Sequence, residues 1–268
     1  LSTQKIIKKV TIDTIKKMKN KTPIVMITAY DALFAKLFDE IVDIILVGDS
    51  LNMSFCGKED TLSATLDMMI YHTNAVANGA KKALIVLDMP FGYYTCKKDA
   101  LKNAIKVYKK SKADAIKIEG GAERAHIIKY LTKNSIAVMG HIGLMPQSVR
   151  SEGGYKIKGK DEENIKSLIQ DAKAIEEAGA FALVIEGVKP TAAEEITKAV
   201  SIPTIGIGAG VKTDGQVLVW SDMLGFFEDF KPKFVKRYLN GAKLVKDAIK
   251  DYAKEVRERK FPTSEYVY

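Results

Sequence analysis

Cysteine is nearly absent from this chain. Cys56 and Cys96 are the only two thiols in 268 residues, they stand far apart, and neither keeps metal-ligand spacing. That excludes a disulfide scaffold and a zinc ribbon, and makes reduced, structural thiols and a cytoplasmic setting the expectation. Histidine is as scarce, with three residues and no H-x-H or H-E-x-x-H spacing, which argues against a zinc hydrolase. No apolar stretch reaches the roughly 18 residues of a membrane span, and the lysine-rich start lacks the apolar core of a signal peptide. No Pro-, Gly- or Ser-rich linker and no low-complexity tract divides the sequence, so a single domain over 1–268 is expected.

The net charge of +9 is carried mainly by lysine and gathered at both ends: Lys5, Lys8, Lys9, Lys16, Lys17, Lys19 and Lys21, then Lys231 through Lys260. A nucleic-acid site would interleave arginine and aromatic residues on one face. Here the bases alternate with apolar residues at helical spacing, as in Phe234, Tyr238, Leu244, Ala248, Tyr252 and Val256. These read as amphipathic helices with a solvated basic face, with neither nucleic acid nor membrane as partner. Attraction of anionic metabolites is a side benefit.

What the chain does have is a series of short apolar runs that end in ionisable residues. Ile44 to Val47 leads to Gly48-Asp49, Leu84 to Leu87 ends in Asp88, Ala115 to Ile118 ends in Glu119, and Leu183 to Ile185 ends in Glu186. Ile136 to Gly140 ends in His141. Such runs read as strands buried on both faces, the mark of a parallel sheet covered by helices. Segments 23–28, 43–48, 83–88, 115–119, 136–140, 181–186, 203–207 and 217–220 are the expected strands. Helical periodicity lies between most of them, as over 98–112 and 163–178, the latter stopped by Gly179.

Eight strands alternating with helices predict an α/β fold, a (β/α)8 TIM barrel. An N-terminal helix over 11–20 precedes it and a C-terminal helical extension follows. A full helix is not expected in the short segment 208–216. Long excursions over 50–82 and 141–160 leave the carboxyl ends of the strands, where such barrels build their sites.

Asp49 and Asp88, at neighbouring strand ends, offer hard oxygen ligands of the kind that suit Mg²⁺; a helix cap is the alternative for Asp49. Lys117 and Glu119 are two apart on one strand and point the same way, either toward a polar site or simply at each other. Glu186 closes an apolar run, and apolar surroundings raise a carboxyl pKa toward the range of a general base; a buried pair with a lysine such as Lys117 is the alternative. His141 is a substrate donor, a support for Glu186, or structural. Gly206-Ile207-Gly208-Ala209-Gly210 lacks the G-x-G-x-x-G spacing of a dinucleotide site and by itself is a weak phosphate-loop signal.

Taken in order, the blocks Thr28-Ala29-Tyr30-Asp31, Val47-Gly48-Asp49-Ser50, Tyr71-His72-Thr73, Leu87-Asp88-Met89-Pro90-Phe91 and Lys117-Ile118-Glu119-Gly120-Gly121 form a pattern. It continues through Gly140-His141-Ile142-Gly143-Leu144, Pro146-Gln147-Ser148-Val149, Gly153-Gly154-Tyr155-Lys156, Gly206 to Gly210 and Thr213-Asp214-Gly215-Gln216. This ordered set resembles the ketopantoate hydroxymethyltransferase family, of the phosphoenolpyruvate/pyruvate barrel superfamily, from about Thr28 to Gly225. Met145, where many relatives carry Thr, and Ser54-Phe55-Cys56 are local departures in loops.

The resemblance implies transfer of a hydroxymethyl group from 5,10-methylenetetrahydrofolate to the 2-oxo acid 3-methyl-2-oxobutanoate in pantothenate biosynthesis. It implies Mg²⁺ held by Asp49 and Asp88, with Glu119 joining directly or through water. Ser50, Lys117 and His141 match substrate-binding positions along with Asp49 and Asp88, and Glu186 matches the proposed base. It implies a homo-oligomer, a decamer, to which Phe226, Phe227 and Phe230 could contribute, although burial within the monomer explains them equally well. An isocitrate-lyase-type C–C lyase, also using acid-bound Mg²⁺ and a 2-oxo acid, is the alternative.

Overall fold

Strand register decides which side chains meet. In the computed structural model, which describes residues 8–228 and 231–268, all strands are parallel and close into a barrel in sequence order. The strands are β1 (Ile24–Thr28), β2 (Ile44–Val47), β3 (Leu84–Asp88), β4 (Ala115–Glu119), β5 (Val138–Gly143), β6 (Ala182–Glu186), β7 (Thr204–Ile207) and β8 (Gly215–Leu218). The expected (β/α)8 barrel is present.

Alternate residues of each strand face inward and fill the interior: Ile24 and Met26, Ile44 and Leu46, Leu84 and Val86, Ala115, Met139, Ala182 and Val184, Ile205 and Ile207, and Val217. Val10 and Ile15 belong to the same buried cluster, with Ile12 and Met18 packed against it. The helix Ile12–Met18, started by a Thr11–Thr14 capping box, thus packs its apolar face onto the barrel core. Continuing the inward alternation by one step reaches Asp88, Lys117, His141 and Glu186, and a second step along β4 reaches Glu119. The apolar lower layers anchor the register, because a one-residue slip on any of these strands would turn its charged residue into the helix layer.

Two strands differ from expectation. β5 runs on to Gly143, so His141 lies within it. Gly143 adopts φ +98°, and a Cβ there would stand 2.3 Å from the Glu186 carbonyl oxygen. Only glycine permits that approach of β5 to β6. β8 begins at Gly215 rather than Val217, because Gly215 pairs with Ile24 of β1 and a Cβ at Gly215 would lie 2.4 Å from the Ile24 carbonyl. Trp220 instead opens a short helix, Trp220–Met223.

The segment after β2 is not a plain excursion. It holds a short helix, Leu51–Ser54, and then a full barrel helix, Leu66–Gly79, which buries Leu66, Met69, Ile70, Thr73, Val76 and Ala77. No helix separates β7 from β8.

The chain divides into two compact units, one ending at Leu218 and one spanning Val219–Tyr268. No linker in the sequence marks that boundary. In the second unit the helix Gly241–Arg257 covers only part of the expected amphipathic stretch, since Phe234 and Tyr238 lie outside it. Phe226 packs edge-on against Trp220, ring centroids 5.4 Å apart. Phe227 is exposed; Phe230, like Lys5, lies outside the described residues. Among the described residues no helix is long and apolar enough to cross a membrane.

Candidate active site

The register brings the predicted residues together at the carboxyl end of the barrel. Asp88 pairs with Lys117 across β3 and β4, Glu119 with His141 across β4 and β5, and Gly143 with Glu186 across β5 and β6. Asp49 follows β2, with its backbone N–H 3.5 Å from Asp88 Oδ2. The side chain of Asp49 caps no helix; Ser50 occupies the N-cap position of the helix Leu51–Ser54 without a side-chain bond to it. The Ser50 hydroxyl instead lies 2.9 Å from the hydroxyl of Tyr30.

Asp49, Asp88, Lys117, Glu119 and His141 are all buried. Glu186 is the most open of the ionisable residues here, its side chain 19% exposed against 3% for His141 beside it. Lys117 is more than a partner of its strand neighbour. Its Nζ lies 2.8 Å from Asp88 Oδ1, 3.7 Å from Glu119 Oε1 and 3.1 Å from His141 Nδ1. Burial works against the ammonium, but the charges of Asp88, Glu119 and Asp49 outweigh it and raise its pKa above the usual lysine value.

Lys117 therefore donates to His141 Nδ1, which leaves the imidazole proton on Nε2. Burial, then the charge of Lys117, hold the His141 pKa well below its ordinary value, so the ring is neutral. Its Nε2 lies 3.3 Å from Glu186 Oε2 and has no partner in hydrogen-bonding geometry.

One ammonium does not balance the carboxylates around it. Burial pushes Glu119 up to about 8, helped by the charges of Asp88 and Glu186 and opposed by Lys117. Burial likewise raises Asp49 well above the carboxylate range, followed by repulsion from Asp88 and Glu119. Glu186 is pushed up to about 7 by burial, against the pull of Lys117. That value suits a group that must take a proton near neutral pH. Among the described residues no group of three or more His, Cys, Asp or Glu side chains forms a ready-made metal cage.

Three supporting residues carry little signal in the sequence: Gln147 and Tyr30 are members of motif blocks, and Tyr94 belongs to none. Gln147, on the 3-10 turn Pro146–Ser148, donates from Nε2 to Asp49 Oδ2 and to the Met89 carbonyl, both at 2.9 Å. Its backbone N–H donates to Glu119 Oε2 at 3.1 Å. Tyr94 donates its hydroxyl to Gln147 Oε1, and Tyr30 meets Ser50. Beside them a small open cleft of about 90 Å³ is lined by Phe91, Tyr94, Glu119, Arg124, Met145 and Gln147, among others.

A model of the family described as ketopantoate hydroxymethyltransferase matches residues 9–264. The chain belongs to the ketopantoate hydroxymethyltransferase family. It is 64% identical over 260 residues to 3-methyl-2-oxobutanoate hydroxymethyltransferase of Aliarcobacter butzleri (strain RM4018), covering 97% of each chain. It is 59% identical to the protein of that name from Helicobacter pylori (strain ATCC 700392 / 26695), covering 96% of this chain and 95% of that one.

Among solved structures, a 2,3-dimethylmalate lyase of the PEP mutase/isocitrate lyase superfamily superposes with a TM-score of 0.61 at 15% identity, over 96% of this chain and 89% of that one. A phosphonopyruvate hydrolase in complex with oxalate and Mg²⁺ gives 0.61 at 13% identity, over 95% and 93%. At those identities the likeness is one of fold.

Proposed function

We propose that this family member transfers a hydroxymethyl group from 5,10-methylenetetrahydrofolate to 3-methyl-2-oxobutanoate. With water consumed, the products are 2-dehydropantoate and tetrahydrofolate, a step toward pantothenate and coenzyme A. The observation that carries the reading is an inward-facing base, Glu186, beside a neutral imidazole and a buried ammonium–carboxylate cluster, in a chain 64% identical to a protein of that name.

The donor set suits Mg²⁺. Asp49 and Asp88 supply hard oxygens at adjacent strand ends, and the carboxylates outnumber the single buried ammonium. Such an ion takes one or two carboxylates and fills its shell with water and substrate oxygens. Asp49 and Asp88 would hold it, with Glu119 alongside. When bound it supplies Lewis-acid polarisation of the 2-oxo acid, which acidifies the hydrogen on C3.

The chain's own residues do the rest. Glu186, with its pKa near neutrality, removes the C3 proton. Lys117 stabilises negative charge as it develops on the keto oxygen. His141 holds Nε2–H beside Glu186 as a neutral donor, and Ser50, whose hydroxyl meets that of Tyr30, offers a further hydroxyl next to Asp49. The carbanionic C3 bonds to the one-carbon unit as that carbon gives up both bonds to the folate nitrogens; water supplies the new hydroxyl oxygen, and protons return to the nitrogens to give tetrahydrofolate.

The test is product formation by purified protein with Mg²⁺. 2-Dehydropantoate from the folate and oxo-acid pair, and no cleavage of methylisocitrate, is the expected result. Cleavage of methylisocitrate without hydroxymethyl transfer would instead favour a C–C lyase.

A further inference from the structure

The geometry points to Gln147 as the positioning residue that sets how Asp49 presents itself to a cation, with Tyr94 holding Gln147 in place. The inference rests on the divalent-cation reading above.

Gln147 spends its whole amide on this task. Both Nε2 hydrogens go to acceptors, Asp49 Oδ2 and the carbonyl of Met89, each at 2.9 Å. The amide oxygen takes the hydroxyl of Tyr94. A flipped amide would face its oxygen toward a carboxylate and a carbonyl, so the orientation is fixed by its surroundings. Gln147 is buried, as is Tyr94; burial, then the charges of Glu119, Asp88 and Asp49, raise the Tyr94 pKa, which keeps the phenol a donor.

The consequence falls on Asp49. Its Oδ2 is taken by Gln147, while no side-chain or backbone donor among the described residues reaches Oδ1. One oxygen is thus held in reserve and the other is offered, which favours one-oxygen ligation over a bidentate grip. Because Met89 follows Asp88 directly, and the Gln147 backbone N–H also holds Glu119, the same residue ties the loop after β5 to all three acids. Groups that orient ligand carboxylates in this way govern metal affinity by roughly 10–100-fold.

Gln147→Met removes both donors at similar volume, and Tyr94→Phe removes only the hydroxyl that orients the amide. The experiment titrates each metal-stripped protein with Mn²⁺, reading free ion by electron paramagnetic resonance, with thermal unfolding as the check on folding. Gln147→Met is expected to weaken Mn²⁺ binding about tenfold or more, and Tyr94→Phe to weaken it less. Saturating Mn²⁺ is expected to restore most of kcat, since the loss lies in holding the ion.

A Mn²⁺ Kd within twofold of the parent in folded Gln147→Met overturns the inference. If that variant does not fold, Tyr94→Phe decides, and an unchanged Kd there overturns it. A parent protein that binds no Mn²⁺ at all is a different outcome: it removes the cation reading itself, and this inference with it.

Discussion

The imidazole of His141 lies between Lys117 and Glu186, with Nδ1 3.1 Å from the Lys117 ammonium and Nε2 3.3 Å from Glu186 Oε2. A protonated ring would be repelled by Lys117 and could then only serve Glu186 as a counter-charge. Neutral, it adds no counter-charge to Glu186, whose carboxyl is pushed up to about 7 by burial, against the pull of Lys117. This arrangement supports the proposed role of Glu186 as a base near neutral pH.

The rate should follow the base. Glu186 acts as a carboxylate, so kcat/KM should rise with pH through the free-enzyme pKa, near 7 before any cation binds, and fall on the acid side. Glu186→Gln should lower kcat by at least about 10² and abolish this acid limb. A pH–rate profile measures both.

Glu186 also bears on stability, with a definite sign. Its folded pKa, about 7, lies above the ordinary carboxyl value of 4.5. The folded state therefore binds the proton more tightly, and stability falls as pH rises from about 4.5 to 7. Glu186→Gln should accordingly stabilise the metal-free protein by roughly 1–3 kcal/mol at pH 8, with little gain below pH 4. Urea titrations at the two pH values check this.

Removing Lys117 should be costly in both currencies of the site. Lys117→Met leaves Asp88, Glu119 and Asp49 without their buried cation, and should lower stability at pH 8 by about 3–5 kcal/mol. Lowering the pH protonates Glu119 and Asp49, whose pKa values burial raises, and should recover part of that loss. The rate should drop by about 10²–10³ through loss of oxyanion stabilisation. Denaturation at pH 5 and 8, with steady-state kinetics, tests the pattern.

At the opposite end of the barrel, Asp214 accepts from Lys19 Nζ at 2.8 Å and from the backbone N–H groups of Asn20 and Thr204. Burial opposes its ionisation, but the Lys19 and backbone hydrogen bonds outweigh it and lower the pKa. That stability is present above the unfolded carboxyl pKa and is lost as pH falls through the lower folded value. Asp214→Asn should cost roughly 1–3 kcal/mol at pH 7, with kcat unchanged, and the penalty should fade in acid.

The barrel was legible because β2 to β7 are buried on both faces, so most of them appear as short apolar runs, and because charged residues end several of those runs. Asp88, Glu119 and Glu186 could be located that way without knowing the register. The ends of β5 and β8 were less legible. They depend on Gly143 and Gly215 letting neighbouring backbones approach, a property of the partner strand that local composition does not report. The helix Leu66–Gly79 does carry its spacing in Leu66, Met69, Ile70, Thr73 and Val76, and could have been read inside the long segment after β2. Gln147 gives no comparable sign. It is uncharged and in a loop, and its role exists only once that loop folds back over Asp49 and Met89.

The most direct test is hydrogen exchange at C3 of 3-methyl-2-oxobutanoate in D₂O with Mg²⁺ and no folate, followed by proton NMR. The parent protein should wash the C3 hydrogen out, and Glu186→Gln should retain metal-dependent binding of the oxo acid while exchange stops. Exchange continuing at the parent rate in Glu186→Gln would contradict the assignment of this carboxylate as the base.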